Sequence, residues 1–266
     1  MNDTAEPPRH IRSVDDLLVL LDGLFDRDSD RWSSEAGAAW WDTFYGDRDK
    51  RIPFFADKPD ESLVSLIDGG RVLPGQRALD LGSGPGRNAL HLASHGVRVD
   101  AVDLSGEAVA WGRERAAGRG LDVQFVCGDA FSLPPVALPG PYDLVYDSGC
   151  LHHLAPHRRI GYLRLLERVL APGGLFAVTC FVRGEMGSSA PDEQLYLDGR
   201  FEAGMGFAAD DLRWIFSDFE EVEIRPMEPQ GEDSATFGEP YLMYGLFRRP
   251  EPTRGAAEGG RRARRR

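Results

Sequence analysis

The sequence predicts an α/β protein built on a doubly wound, mainly parallel seven-stranded sheet. Three observations carry that prediction. From residue 77 onward, short runs rich in Val, Leu and Phe alternate with helix-length amphipathic stretches. The first run, RALDL at 77–81, is followed by glycines at 82, 84 and 86 and then by a helical pattern. Acids stand at the tips of successive runs: Asp80, Asp103, Asp129 and Asp147. Such alternation means βαβ units, in which ligands lie outside the carboxyl ends of the strands.

The elements follow in order. Residues 13–26 (SVDDLLVLLDGLFD) carry a helical apolar stripe with Ser13 placed as an N-cap. Residues 34–45 read as a second helix with a cluster of large aromatics, and PFFADKP is a proline-bounded apolar loop. RALDL is the first strand, and a helix at 87–95 is closed by Gly96. VRVDAVDL is the second strand, followed by a helix from Ser105 to about Gly118. DVQFVCGD and YDLVYD are the third and fourth strands. A helix over 157–171, with Ile160, Leu163, Leu166, Val169 and Leu170 on one side, stops at PGG before the fifth strand, LFAVTCF. A polar, Gly-rich insertion at 183–206, a helix at about 208–216 and the strands EEVEIR and YLMYGLFRR complete the chain, which has no internal repeat.

Composition narrows the function classes. A length of 266 residues with 42% hydrophobic content suits one α/β domain with additions. The net charge is −12, and residues 254–266 hold six Arg and one Glu, so the rest of the chain is more acidic still. An acidic body repels nucleic acid and anionic membrane, so neither is an expected partner. No apolar run approaches membrane-span length, and MNDTAEPPRH lacks the basic and apolar regions of a signal peptide. Three scattered cysteines, Cys127, Cys150 and Cys180, argue against a disulfide framework or a zinc site. A cytoplasmic location and no metal are expected.

The glycine loop restricts the ligand. A dinucleotide fingerprint requires a third glycine where Arg87 stands, and no Walker lysine follows. The pattern D-x-G-x-G-x-G instead brings backbone close to a flat, neutral or cationic ligand portion, with the Asp80 carboxylate beside it. Asp103 ends the second strand, where a carboxylate accepts from both hydroxyls of a ribose. Asp129, in CGDAF, is placed to meet an exocyclic amine while the next residues flank an adenine ring. Asp147 lies beside the reactive end of such a ligand, and Asp80 near an ammonium or sulfonium.

With these motifs the chain resembles the class I S-adenosylmethionine-dependent methyltransferases over roughly residues 60–247. Asp80, Gly82, Gly84 and Gly86 match the family's first motif, Asp103 its ribose-binding acid, and Asp129 with Ala130 its adenine-contacting pair. LHHL followed by LLERVLAPGGLFAVTCF is similar to the family's run from the fourth strand's loop into the fifth strand. GRNALHLA and the W-D-x-F-Y…P-F-F lead-in are similar to the small-molecule branch that includes thiopurine and tellurite-resistance methyltransferases. The resemblance implies a Rossmann-like fold, S-adenosyl-L-methionine as cofactor, and a small-molecule acceptor with an S, N, O or chalcogen nucleophile. It implies a cofactor set of Asp80, Gly82, Gly84, Gly86, Asn88, Asp103, Leu104, Asp129, Ala130, Phe131 and Asp147. Residues 1–70 are then a helical, aromatic lid; 71–249 the cofactor-binding domain, with 183–206 on the substrate side; and 250–266 a disordered Arg-rich tail.

Methyl transfer by in-line displacement depends first on alignment of two reactants and exclusion of water. A base is needed only where the acceptor must lose a proton. His152, His153 and Tyr45 are the catalytic candidates, the histidines as bases near neutral pH. His153 has a second reading, as a histidine hydrogen-bonded against the following helix. Trp41, Tyr45, Cys150, His152 and Tyr196 are the substrate-binding candidates, with Tyr196 and Phe201 in the insertion forming another wall. Cys150 also reads as a small packed residue, Cys127 and Cys180 as core. Trp40 and Phe44, at helical spacing, are expected to pack the second helix down. The alternatives are a nucleic-acid or protein methyltransferase and an NAD-dependent oxidoreductase. The first usually holds a flipped base with an amide or acid, two prolines and an aromatic after the fourth strand, where this chain has DSGC. The last gives no reason for Asp129.

Overall fold

Strands that are apolar on both faces must be covered on both, and the helices divide accordingly. The computed structural model describes residues 11–33, 35–50, 52–200 and 203–252. Its strands are β1 (Arg77–Leu81), β2 (Arg98–Asp103), β3 (Val123–Cys127), β4 (Tyr142–Ser148), β5 (Leu170–Val182), β6 (Gly206–Phe207), β7 (Glu220–Pro226) and β8 (Leu242–Arg248). Seven of them form the path β3-β2-β1-β4-β5-β8-β7, and the two-residue β6 pairs with the end of β5 as an eighth. β1 to β5 are parallel, and β8 runs antiparallel between β5 and β7. The mainly parallel sheet expected from the sequence is therefore present.

The helices are α1 (Val14–Asp22), α2 (Ala36–Gly46), α3 (Glu61–Asp68), α4 (Arg87–Ser94), α5 (Gly106–Arg119), α6 (Arg159–Val169), α7 (Asp192–Asp198) and α8 (Ala209–Ile215). Alternate strand residues face opposite layers. Ala78, Ala101, Leu144 and Tyr146 pack with α3, α4 and α5, whereas Leu79, Val102, Val145 and Phe176 pack with α6, α7 and α8. Ser13 caps α1 as expected: it accepts from Asp16 N–H (3.1 Å), and the Asp16 carboxylate accepts from Ser13 N–H (2.7 Å), a reciprocal capping box.

Several expectations need correction. α3 and α7 were not read from the sequence, because two short turns of amphipathic pattern do not stand out among flanking Pro and Gly. β5 begins at Leu170, not 175: the PGG turn stops α6, but Leu170 already pairs with Tyr142 ahead of a register shift. α6 buries Tyr162, Leu165, Leu166 and Val169, while Ile160 is exposed. The rest of the expected face, Leu163, Leu166, Val169 and Leu170, packs into the core, joined by Tyr162, whose hydroxyl donates to the buried Asp147 (2.6 Å). Phe201 and residues 253–266 of the Arg-rich tail lie outside the described residues.

α3 is held to the glycine-loop end of the sheet by a buried polar network. Asp60, fully buried just before α3, accepts from Arg87 Nη1 (2.5 Å), Asn88 Nδ2 (3.1 Å) and the Tyr146 hydroxyl (2.9 Å). Asn88 Oδ1 accepts from Asp60 N–H (2.9 Å), and Ser62 Oγ pairs with the Tyr146 hydroxyl (2.9 Å). Removing one partner of a buried ion pair strands the other charge in low dielectric. Arg87→Met is expected to cost about 3–5 kcal/mol in urea unfolding, and Arg87→Met with Asp60→Asn clearly less. Equal losses in the single and double variants would show that the pair is not coupled.

Candidate active site

The site is built where β1, β2 and β4 end. β1 delivers Asp80, then the chain turns through Gly82 (φ 69°), Gly84 (φ 52°) and Gly86 (φ 78°) into α4. Gly82 and Ser83 N–H both donate to Val102 O (2.9 and 3.0 Å), folding the loop against β2. At Gly84 the positive φ and the overhead Tyr45 hydroxyl, 2.9 Å from where a Cβ would stand, leave no room for a side chain. Gly86 answers to packing instead, since a Cβ there would meet the Phe125 ring at 2.7 Å.

Each acid at a strand tip has a distinct environment. Asp80 is buried, accepts from Ala89 N–H, and its Oδ2 has no hydrogen-bond partner among the described residues. Asp103 accepts from Gly84 N–H (2.7 Å) and Ser105 N–H (2.9 Å), and burial pushes its carboxyl up to about 6. Asp129 accepts from Phe131 N–H (2.9 Å) and Ser132 Oγ (2.6 Å), which fixes the turn carrying Ala130 and Phe131. A cavity of about 1240 Å³ opens beside Asp129 and Phe131 and extends along α1 and α6 past Leu18, Phe25 and Arg158. Leu104, half-buried, lies beside Gly37 of α2.

Two expected ligand contacts have structural duties. Asp147 accepts from Cys150 N–H (2.6 Å), Leu151 N–H (3.0 Å) and the Tyr162 hydroxyl, so both oxygens organise the loop after β4. Asn88 spends both ends of its amide on Asp60. A third correction concerns Tyr196. Its hydroxyl bonds His157 N–H (3.0 Å) and Nδ1 (2.9 Å), and its ring packs on Phe25 (5.3 Å). His157 Nε2 in turn meets Asp22 Oδ1 (2.7 Å), so Tyr196 ties α7 to α1.

The roof is aromatic. α2 places Trp41 against His153 (5.0 Å, edge-on) and Tyr45 against Phe55 (5.5 Å, stacked), while Trp40 stacks on Phe44 (5.1 Å). Asp42 of α2 accepts from Ser105 Oγ (2.6 Å) and Glu107 N–H (3.2 Å), pinning the roof to the start of α5 beside Asp103. Burial, with Asp103 nearby, raises the Tyr45 hydroxyl well above 10, so it is a hydrogen-bond donor and not a base. Burial likewise raises the Cys150 thiol well above 9, which keeps it protonated. Cys150 packs over Gly82, its Cβ 2.8 Å from where a Cβ at Gly82 would stand.

His152 and His153 form a pair, Nε2 to Nε2 at 3.1 Å, with the His152 ring stacked on Phe181 at 3.6 Å. Both Nδ1 atoms are buried without a partner among the described residues. Burial drives His152 well below 6.5; burial, then the Arg31 charge, takes His153 down to about 3. The sequence expectation of bases titrating near neutrality is corrected: both rings are neutral at pH 7. Sequence reasoning missed Asp60, Asp42 and the role of Arg87, although an Asp just before an amphipathic stretch is a capping signal and Arg87 stood out in the glycine loop. The paired imidazoles are expected to keep neutral ¹⁵N shifts from pH 8 down to pH 5; titration of either near 6.5 would contradict their burial.

Comparison with known proteins fits this arrangement. A family model described as a methyltransferase domain matches residues 78–174. The chain is 37% identical over 132 residues, half of each chain, to the demethylmenaquinone methyltransferase of Beutenbergia cavernae. It is 31% identical over 160 residues (56% of this chain, 61% of the other) to a ubiquinone biosynthesis O-methyltransferase of a Caulobacter species. The chain thus spans about half the length of the curated relatives it matches. A solved structure from the conversion of a disulfide bond into a thioacetal group during echinomycin biosynthesis is similar at a TM-score of 0.61 and 28% identity, covering 80% of this chain and 93% of the other. The 1,6-didemethyltoxoflavin-N1-methyltransferase of Burkholderia thailandensis, with S-adenosylhomocysteine bound, shares the fold at a TM-score of 0.58 and 19% identity, over 93% and 95% of the two chains.

Proposed function

We propose that the chain is a class I S-adenosylmethionine-dependent methyltransferase and that it transfers a methyl group to a nucleophile on a small molecule. The observation that carries this reading is the glycine loop between Asp80 and Gly86, with the Asp103 carboxylate hydrogen-bonded to it, inside the matched methyltransferase domain. The residues present fit the cofactor. The partnerless Asp80 oxygen suits a cationic group, and the Asp103 carboxylate, oriented by the Gly84 and Ser105 N–H groups, suits ribose hydroxyls. Leu104 and the turn Asp129–Phe131 would flank the adenine. When bound, S-adenosylmethionine supplies an electrophilic methyl group on a sulfonium.

Several relatives are named for small acceptors, a demethylmenaquinone and a 2-heptyl-1-hydroxyquinolin-4(1H)-one among them, while another is named for the cypemycin N-terminus. In this chain Trp41, Tyr45, Cys150 and His152 offer a small acceptor a roof without a free charge. Alignment under that roof is the main source of rate, since correct placement removes most of the entropy cost of bringing two reactants together. His152 accepts a proton from the acceptor or orients it, and burial keeps the ring unprotonated at neutral pH. His153 fixes the His152 ring through the Nε2 contact.

The reading is tested with methyl-labelled S-adenosylmethionine and a panel of phenols, thiols, amines and chalcogen anions. At least one small acceptor is expected to be labelled, and labelling of nucleic acid or protein alone would overturn the proposal. On the best acceptor, His152→Ala is expected to lower turnover about 100-fold with S-adenosylhomocysteine affinity within a few-fold, and the parent rate to show no histidine inflection between pH 6 and 9. A variant as active as the parent would leave alignment as the only catalyst.

A further inference from the structure

Four carboxylates are buried where the strands end, and three have every oxygen met by a donor. Asp60 is served by Arg87, Asn88 and Tyr146, Asp103 by Gly84 and Ser105, and Asp147 by Cys150, Leu151 and Tyr162. Asp80 differs. Its Oδ2 is buried and has no donor among the described residues. An ionised carboxylate held this way has lost water without replacement, so the neutral acid is favoured until a cation arrives. We propose that Asp80 is a proton-exchange point of the cofactor site: its carboxyl carries a proton while no cation faces it and releases that proton to solvent when an ammonium group docks there.

The exchange balances. The Asp80 O–H bond breaks, the proton passes to buffer, and an N–H of the incoming ammonium supplies the donor that Oδ2 lacks. One positive charge enters as one leaves, so the buried charge of the region is unchanged. The groups facing Asp80 set the point of exchange. Arg87 and the Ala89 N–H, both from α4, favour the carboxylate. Asp60 ahead of α3 and Asp147 on β4 oppose it, and Tyr45 of α2 lies above in neutral form. With burial as the largest influence the carboxyl is pushed up to about 7. An acid raised in this way is protonated below pH 7, so release on binding is large at neutral pH and vanishes in alkali.

This inference rests on the cofactor reading above, and calorimetry separates the two. S-adenosylhomocysteine carries the ammonium; 5′-methylthioadenosine has the same adenine, ribose and thioether without it. Titrating each in buffers of different ionisation enthalpy counts protons. S-adenosylhomocysteine is expected to release about half a proton per site at pH 7 and under a tenth at pH 8.5, and its affinity to fall about tenfold per pH unit below pH 6. 5′-Methylthioadenosine is expected to bind with no release at pH 7, and Asp80→Asn to bind S-adenosylhomocysteine more weakly with none. Buffer-independent heats for S-adenosylhomocysteine at pH 7, or equal release with 5′-methylthioadenosine, would overturn the proposal and leave the cofactor reading standing. Persistent release in a folded Asp80→Asn variant would assign the proton to another group and overturn it equally. Failure of both compounds to bind would instead overturn the cofactor reading itself.

Discussion

The buried guanidinium of Arg87 is the interaction on which the ligand side of the protein depends. Carboxylates at the ends of parallel strands are useful to a nucleotide but costly to remove from water, and each one buried requires a donor or a cation. Arg87, at the first position of α4, answers for Asp60 and for two further acceptors. It pairs with Asp60, donates to Ser148 Oγ (2.9 Å) and Lys58 O (3.1 Å), and lies over the Phe237 ring at 4.6 Å. A planar fork serves three acceptors in fixed directions, which a lysine cannot do. Because the residue directly follows the glycine loop, this clamp sets α3, the loop and the end of β4 in one frame.

Above that frame two polar links hold the neighbouring elements, one of them on the roof itself. Asp42 caps α5 beside the acid that ends β2, and the Asp22–His157–Tyr196 chain joins α1 to α7 across the loop after β4. Between the two, Tyr45 stands over Gly84 and Trp41 against His153. Polar fastening at the edges with aromatic contact in the middle suits a site that has to exclude water. It also accounts for the neutral state of the histidine pair, whose rings sit among Trp41 and Phe181.

Much of this was legible in the sequence for identifiable reasons. β1, β2 and β4 were read to within a residue or so because apolar strands end abruptly at acids and glycines, and the start of α5 because Ser105 caps it. Asp80 and Asp103 could be placed at the ligand end because their strands could. What escaped notice was contact across long separations. Nothing local shows that Asp60 meets Arg87, that Tyr162 of α6 reaches Asp147, or that Asn88 faces inward to Asp60. Asp147 and Asn88 were therefore assigned to a ligand when their hydrogen bonds are spent within the protein. The histidines were identified by type, but their basicity depends on burial that sequence alone does not show.

The central claim is that the glycine loop and its neighbouring acids hold an adenosyl cofactor and not a dinucleotide. Equilibrium titration of the protein with S-adenosylhomocysteine and with NAD, repeated on Asp103→Ala, tests it most directly. S-adenosylhomocysteine is predicted to bind and NAD not to, with Asp103→Ala weakening the interaction by about 2–4 kcal/mol while the fold survives. Binding of NAD in its place, or an affinity unchanged in Asp103→Ala, would contradict the account.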